Sequence, residues 1–247
     1  MKKIRHILIL FSVVMLVACT QDMSVGPQNG NKIKSETKWL LSNSTDQKLK
    51  IVSHKQYDNS GQLLKSDLYN ESGSLISQTL ITYSSNLTIE EIKTFNNSGI
   101  SDLVVNSYKT DIKGLILEMI SKDSKGDTLS INKFDYDLKG NLVEETIFDK
   151  FGVVKSRTKF EYNFNNQGFV IGTRINDGIG GINQSRDTII YKMDQRLVER
   201  IKYDSSGFLE IIFTYMYNPD GKVSKELQTD KSGNILKKYS YEYIYFN

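Results

Sequence analysis

The chain has 247 residues, with 32 Lys and Arg against 29 Asp and Glu and a formal net charge of +3. Lys2, Lys3 and Arg5 supply that surplus, so everything beyond the first residues is charge-balanced and offers no basic stripe for nucleic acid or for an anionic bilayer. A single cysteine, Cys19, and two histidines exclude a disulfide framework, a Cys-based zinc site and a multi-His metal site.

At the N-terminus a basic segment precedes an apolar run from Ile7 to Val17, interrupted only by Ser12. That run is too short to span a bilayer and has the length of a signal-peptide core. It ends in Leu16-Val17-Ala18-Cys19, which resembles the lipobox of bacterial lipoproteins. The resemblance implies cleavage before Cys19, diacylation of its sulfur and acylation of its new amine. Two or three acyl chains hold a protein on a membrane far better than one. The expected location is therefore the cell envelope, lipid-anchored and on the outer membrane, with either face open. Residues 1–18 are read as the signal peptide and 19–36 as a polar tether, rich in Gly, Asn and Pro, that cannot bury a core. Residues 37–247 form the folded domain.

Around Trp39, residues 36–42 read as a short helical turn or a capping strand. Residues 49–57 alternate like a strand, in which His54 shares a face with Lys50 and Val52 as a half-exposed residue.

From there a repeat dominates. Its full copies include Tyr57-Asp58-Asn59-Ser60-Gly61, Tyr69-Asn70-Glu71-Ser72-Gly73, Tyr136-Asp137-Leu138-Lys139-Gly140 and Phe148-Asp149-Lys150-Phe151-Gly152. Tyr203-Asp204-Ser205-Ser206-Gly207, Tyr217-Asn218-Pro219-Asp220-Gly221 and Thr229-Asp230-Lys231-Ser232-Gly233 continue it, with Phe95–Gly99 and Phe164–Gly168 between. Weaker copies end at Gly114 and Gly126, and degenerate ones fall near Ser84–Asn86 and Met193–Gln195. Steps of 12 and 14 residues alternate, giving a double repeat of 26. The Asp or Asn caps its own turn, and the Gly supplies the positive φ of a hairpin turn with a bulge. Two places after the Gly an apolar residue restarts a strand: Leu63, Leu75, Leu142, Leu209, Val223, Ile235. The structural turn positions are thus Asp58, Gly61, Gly73, Asp137, Gly140, Gly152, Asp204, Gly207, Gly221 and Gly233. No segment sustains a helical period, so the fold class is all-β, an antiparallel meander of hairpins.

The unit resembles the YD repeat of RHS-type proteins and of short Bacteroidetes lipoproteins, over about residues 48–245. Large RHS proteins wind such repeats into a closed shell around a toxin domain. This chain has too few copies for that shell and no further domain, so the expected form is an open curved sheet. The resemblance also implies an association with carbohydrate.

Alternation places Leu209, Ile211, Phe213, Tyr215 and Tyr217 on one face, and Ile235, Lys237, Tyr239, Tyr241, Tyr243 and Tyr245 on another run. Such rings either pack as a ladder or, if exposed, form a platform on which sugar rings stack. Tyr215, Tyr217, Tyr239, Tyr241 and Tyr243 are the candidate ligand-binding residues. Charges at strand centres (Lys65, Glu144, Lys225, Lys237) argue against two apolar faces. The Gly-rich stretch Asn176–Gly181 lacks the ending of a phosphate loop and reads as a long loop, with Arg174, Asp177, Asn183 and Arg186 as polar candidates. Glu90-Glu91 and Glu144-Glu145 are adjacent and so point to opposite faces of a strand. Asp127-Thr128-Leu129 and Asp187-Thr188-Ile189 resemble the O-glycosylation sequon of Bacteroidetes envelope proteins.

No catalytic residue, metal or cofactor is expected. The expected function is a non-catalytic binding or scaffolding role, with a glycan held on the aromatic face. The alternative is a structural or immunity-type protein-interaction module without a small ligand, and a hydrolase using carboxylates alone ranks last.

Overall fold

The structure, a computed structural model, describes residues 32–84, 87–96, 98–166, 170–177, 184–191, 197–204 and 206–246, with backbone alone for 170–177 and 184–191. Sixteen strands follow one another among the described residues: β1 (Ile33–Leu41), β2 (Lys48–Tyr57), β3 (Leu63–Tyr69), β4 (Leu75–Tyr83), β5 (Thr88–Asn96), β6 (Gly99–Thr110), β7 (Ile116–Lys122), β8 (Thr128–Tyr136), β9 (Leu142–Asp149), β10 (Val154–Phe164), β11 (Val170–Asp177), β12 (Gln184–Tyr191), β13 (Leu197–Tyr203), β14 (Leu209–Tyr217), β15 (Val223–Thr229) and β16 (Ile235–Tyr245). Each pairs antiparallel with its sequence neighbours, so the all-β meander expected from the repeat is what forms.

The sheet is closed where an open one was expected. β1 pairs with β2 on one side and with β16 on the other, for example Thr37 with both His54 and Glu242. The segment around Trp39, read as a helical turn or a capping strand, is the closing strand, and it starts at Ile33, inside the stretch expected to be tether. Closure leaves no edge to template a partner strand.

The turns explain the curvature. In most described copies the Asp or Asn at the head accepts backbone N–H bonds, as Asp58 Oδ1 does from Ser60 and Gln62 at 2.8 Å, while in the turn at 218–221 Asp220 accepts from Lys222. Gly61 sits at φ 91° and donates back to the Asp58 carbonyl at 3.0 Å. The copies ending at Gly114 and Gly126, weak in sequence, have the same bonds. Side-chain hydrogen bonds from Ser60, Asn141 and Asn234 hold the carboxyls of Asp58, Asp137 and Asp230 below the ordinary aspartate range, with the backbone bonds of the turn adding to them, and for Asp149 the backbone bond from Val153 leads. The degenerate copy at Met193–Gln195 and most of the Gly-rich stretch lie outside the described residues. After most turns the register slips by one: Tyr57 opposes Leu63 while Gln56 opposes Lys65, leaving Leu64 as a bulge, whereas β4–β5 and β11–β12 pair without a slip. Ile76, Leu117, Leu129 and Leu236 are bulges of the same kind. A bulge bends and twists its strand, and a bulge in most hairpins curls the sheet toward closure.

Three expectations about faces change because of bulges, among them that of Leu209, which the bulge at Glu210 separates from the face of Ile211 and Phe213. Lys50 opposes Leu40 whereas His54 opposes Thr37, so the slip at Val52 puts Lys50 and His54 on opposite faces. His54 is half-buried and bonds Thr37 Oγ1 through Nδ1 at 2.9 Å. The bulge at Leu236 likewise separates Ile235 from the face of Lys237, Tyr239 and Tyr241.

Following the register round the ring shows which face is concave. Buried Tyr108, Met119, Phe134, Phe160 and Tyr239 share one face with buried Glu90, Asn106, Ser121, Asn132, Glu145 and Glu226. Tyr108, Met119, Phe134, Leu142 and Phe160 form the apolar cluster of the wall between β6 and β10. The opposite, convex face carries Lys93, Glu118, Lys133, Glu144, Arg157 and Lys159 at strand centres. A wall facing lipid needs a continuous apolar band about 25 Å tall, and each Lys or Arg at its midplane costs about 2–4 kcal/mol. This outer wall is built for water. Among the described residues no helix is long and apolar enough to cross a membrane.

Candidate binding site at the far rim

Strand direction divides the turns between two rims. The start of β1 and the end of β16 share one, here the near rim, with the turns at 58–61, 111–114, 137–140 and 218–221. The turns at 70–73, 123–126, 149–152 and 230–233 and the β1–β2 loop lie at the far rim.

At the near rim a tyrosine closes the inner face of alternate strands. The hydroxyls of Tyr83, Tyr136, Tyr162 and Tyr243 donate to the carbonyls of Leu63, Ile116, Leu142 and Val223 at 2.9, 2.9, 2.7 and 2.9 Å, in each case 20 residues back. Tyr217 does the same to Leu197. Each acceptor is the first residue of the preceding strand, next to its bulge. This ladder is the physical content of the 26-residue double repeat. Burial pushes the hydroxyls of Tyr136 and Tyr162 up to about 12.

Of the five rings predicted to bind ligand, none stands on an outward platform. Tyr215, Tyr217, Tyr239, Tyr241 and Tyr243 lie on the concave face, and the hydroxyls of Tyr217 and Tyr243 are committed to the ladder. Tyr241 donates to Glu226 at 2.6 Å. Glu226 also receives Lys38 at 2.9 Å from β1, across β16, and the Lys38 ammonium lies 4.0 Å from the centroid of the Tyr239 ring. Burial opposes charge on Glu226, yet Lys38, Tyr241 and Gln228 together hold its carboxyl below the usual glutamate range. This cluster fastens the seam.

Two more polar clusters sit on the inner face. Asn106 donates to Glu90 at 2.8 Å and accepts from Ser121 at 2.7 Å, while Tyr108 donates to the same Glu90 oxygen. Asn132, 1% exposed, donates to Glu145 at 2.8 Å. Burial raises the Glu145 carboxyl, and the Asn132 bond opposes that rise. As the alternation requires, Glu145 points in while Glu144 faces out to Arg157 at 3.1 Å.

A site with the form of a receptor lies at the far rim. A cavity of about 530 Å³ opens between β1, β2, β3 and β16, with an apolar floor of Leu40, Leu41, Leu49, Val52 and Leu236. Tyr239 supplies a ring, and Lys50, Lys237, Asn43, Asn70 and Glu71 supply polar groups; Tyr69 borders the cavity from β3, where the register puts it on the face opposite Lys50. Leu40, Lys50, Lys237 and Tyr239 all belong to the concave face, so the cavity is the mouth of the barrel. Its lip is held in place: Lys238 donates to the Asn43 carbonyl and to Asp46, both at 2.8 Å, and Lys225 to Asp46 at 2.9 Å. Those two hydrogen bonds lower the Asp46 carboxyl to about 2. Lys50 spends one donor on the Glu71 carbonyl at 2.6 Å. A preformed, mostly apolar concavity with a few placed polar groups is the usual form of a small-ligand site.

Tyr239 is the one predicted residue that this site uses. Tyr69, Lys50 and Lys237 were missed, because Tyr69 reads as the head of a turn copy and Lys50 as an ordinary strand residue. They meet only once β1 joins the first strands of the meander to the last. Among the described residues no group of three or more His, Cys, Asp and Glu could hold a metal ion.

No family model and no curated protein matches the sequence. Solved structures do match in fold. A porin-like protein from Bacteroides uniformis aligns with a TM-score of 0.55 at 15% identity, covering 87% of this chain and 99% of that one. A porin-like protein from Bacteroides vulgatus aligns at 12% identity with a TM-score of 0.36, covering 76% of this chain and 99% of its own. The first of these likenesses shows a shared all-β fold.

Proposed function

We propose that this protein is a non-catalytic lipoprotein of the cell envelope, anchored to the outer membrane through Cys19, that binds a small glycan in the mouth of its barrel. The preformed cavity at the far rim carries this reading, because it combines an apolar floor, the aromatic ring of Tyr239 and two lysines, with Tyr69 at its border. Rings and aliphatic side chains suit the apolar face of a pyranose, and Lys237 favours a sugar that bears an acid group. The proposal thereby moves the sugar-binding surface from the aromatic strands to the rim, since the hydroxyls of Tyr217, Tyr241 and Tyr243 are engaged within the wall.

The test is isothermal titration of the purified full-length protein with neutral and acidic oligosaccharides. Saturable binding of an acidic member is expected, weakened at least about tenfold by Tyr69→Ala and by Lys237→Ala and unchanged by the outward Lys159→Ala. Absence of binding across the panel, or equal binding by Tyr69→Ala, would sink the glycan reading.

One observation favours the second reading, a protein-interaction module. Phe151 and Phe208 stand 79% and 71% exposed at the same rim. Crosslinking on intact cells that captures one stable partner through these residues, with no glycan bound, would decide for it.

A further inference from the structure

Two apolar side chains at the near rim have no contact with the rest of the fold. Ile112 and Leu138 occupy the tips of the turns after β6 and β8, and both are fully exposed. Nothing in the turn asks for an apolar residue there: the equivalent positions in neighbouring copies are Asn59, Glu71 and Pro219. Each tip is followed by a lysine, Lys113 and Lys139, and Phe164 lies beside the second, its ring centroid 5.1 Å from the Lys139 ammonium.

Their place in the ring matters more than their number. β1 enters the barrel at this same rim, and in a ring of sixteen strands β8 and β9 lie opposite β1. The thirteen residues between Cys19 and Ile33 span at most about 45 Å, at roughly 3.3–3.6 Å per residue. A nine-residue strand such as β1 is about 30 Å long. An acyl anchor at Cys19 therefore holds the near rim close to the bilayer without strain. Bringing the far rim down would require the chain to run the height of the wall and would consume most of its reach.

From this placement we propose that the near rim is a second membrane contact: Ile112 and Leu138 enter the headgroup region of the bilayer, with Lys113 and Lys139 at the phosphates. This rests on acylation of Cys19. Two attachments on opposite sides of the ring stand the barrel on end, with the ligand mouth turned away from the lipid. The partner is the lipid surface itself, because single aliphatic tips, each followed by a lysine, match an interface of acyl chains and phosphates.

The sequence supplies a clean probe. Cys19 is the only cysteine, and acylation consumes its thiol, so a cysteine introduced at Ile112, Leu138, Phe151 or Phe208 is the single labelling site. The full-length acylated protein carrying an environment-sensitive fluorophore at one of these positions is reconstituted into vesicles of phosphatidylethanolamine and phosphatidylglycerol and floated on a density gradient. Labels at 112 and 138 should shift to the blue and be quenched by spin-labelled lipid at least about threefold more strongly than labels at 151 and 208. Replacing the unlabelled tip of the pair by Asp should reduce the quenching of the other. Protein that floats with water-like emission at 112 and 138 overturns the second contact while leaving the anchor intact. Protein that fails to float overturns the anchor and the contact together.

Discussion

Lys38→Met is expected to cost about 3–5 kcal/mol, the usual penalty for leaving one member of a buried ion pair alone. For a domain of this size that lowers the melting temperature by about 10 °C. Lys38 comes from the closing strand and Glu226 from β15, so the pair spans the seam rather than one hairpin. The Glu226 carboxyl is depressed, so the stability it confers is fully present above the ordinary glutamate range and fades as pH falls through its lowered value. In the variant the same carboxyl is buried without its cation and gains a proton readily. The gap between variant and wild type should therefore narrow as pH drops from 7 to 4. Thermal unfolding followed by circular dichroism at several pH values checks both the size and the slope. The double variant Lys38→Met/Glu226→Gln should recover most of the loss, since a neutral amide leaves no charge buried alone and keeps an acceptor for the Tyr241 hydroxyl.

Asn106→Leu is the second large effect, about 2–4 kcal/mol. Asn106 is the node between Glu90 on β5 and Ser121 on β7, and all three are buried. A leucine of similar volume removes both bonds, leaves the Ser121 hydroxyl without its acceptor and takes a donor from a buried carboxylate, at about 1–3 kcal/mol for each group orphaned. Denaturant titration should show the loss in the midpoint with an unchanged slope. Adding Ser121→Ala to the variant should cost less than Ser121→Ala alone. Lys109→Ala, outward and exposed on the same strand, should stay within about 0.5 kcal/mol of wild type.

These clusters mark where the sequence was readable and where it was not. The hairpin repeat, the strand starts at Leu63, Leu75 and Leu142, and the opposite faces of Glu144 and Glu145 follow from local chemistry: a capping Asp, a glycine at positive φ and a period of two. Even the 26-residue double step has a local cause, in the tyrosines that reach back to the first carbonyl of the preceding strand. Closure is different. It depends on the bulges that most hairpins add and on whether nine residues around Trp39 find both ends of the meander. No window of sequence records that coincidence. The faces of His54, Lys50 and Ile235 were misjudged for the same reason, because one inserted residue inverts the alternation. The cavity was invisible in turn, since Tyr69, Lys50 and Lys237 come from strands that are neighbours only in a closed ring.

Closure is thus the claim on which the seam, the inner face and the ligand mouth depend, and a crosslink tests it directly. Cysteines replace Thr37 and Glu242, which oppose each other across the β1–β16 seam, in a Cys19→Ser background. A short bismaleimide is applied to the monomer, followed by digestion and mass spectrometry, with the opposed pair Lys225 and Ser240 of the neighbouring hairpin as the positive control. The closed barrel predicts an intramolecular link between residues 37 and 242 formed as efficiently as the control. An open sheet would link the control pair and leave 37 and 242 unlinked, and that result would contradict the account.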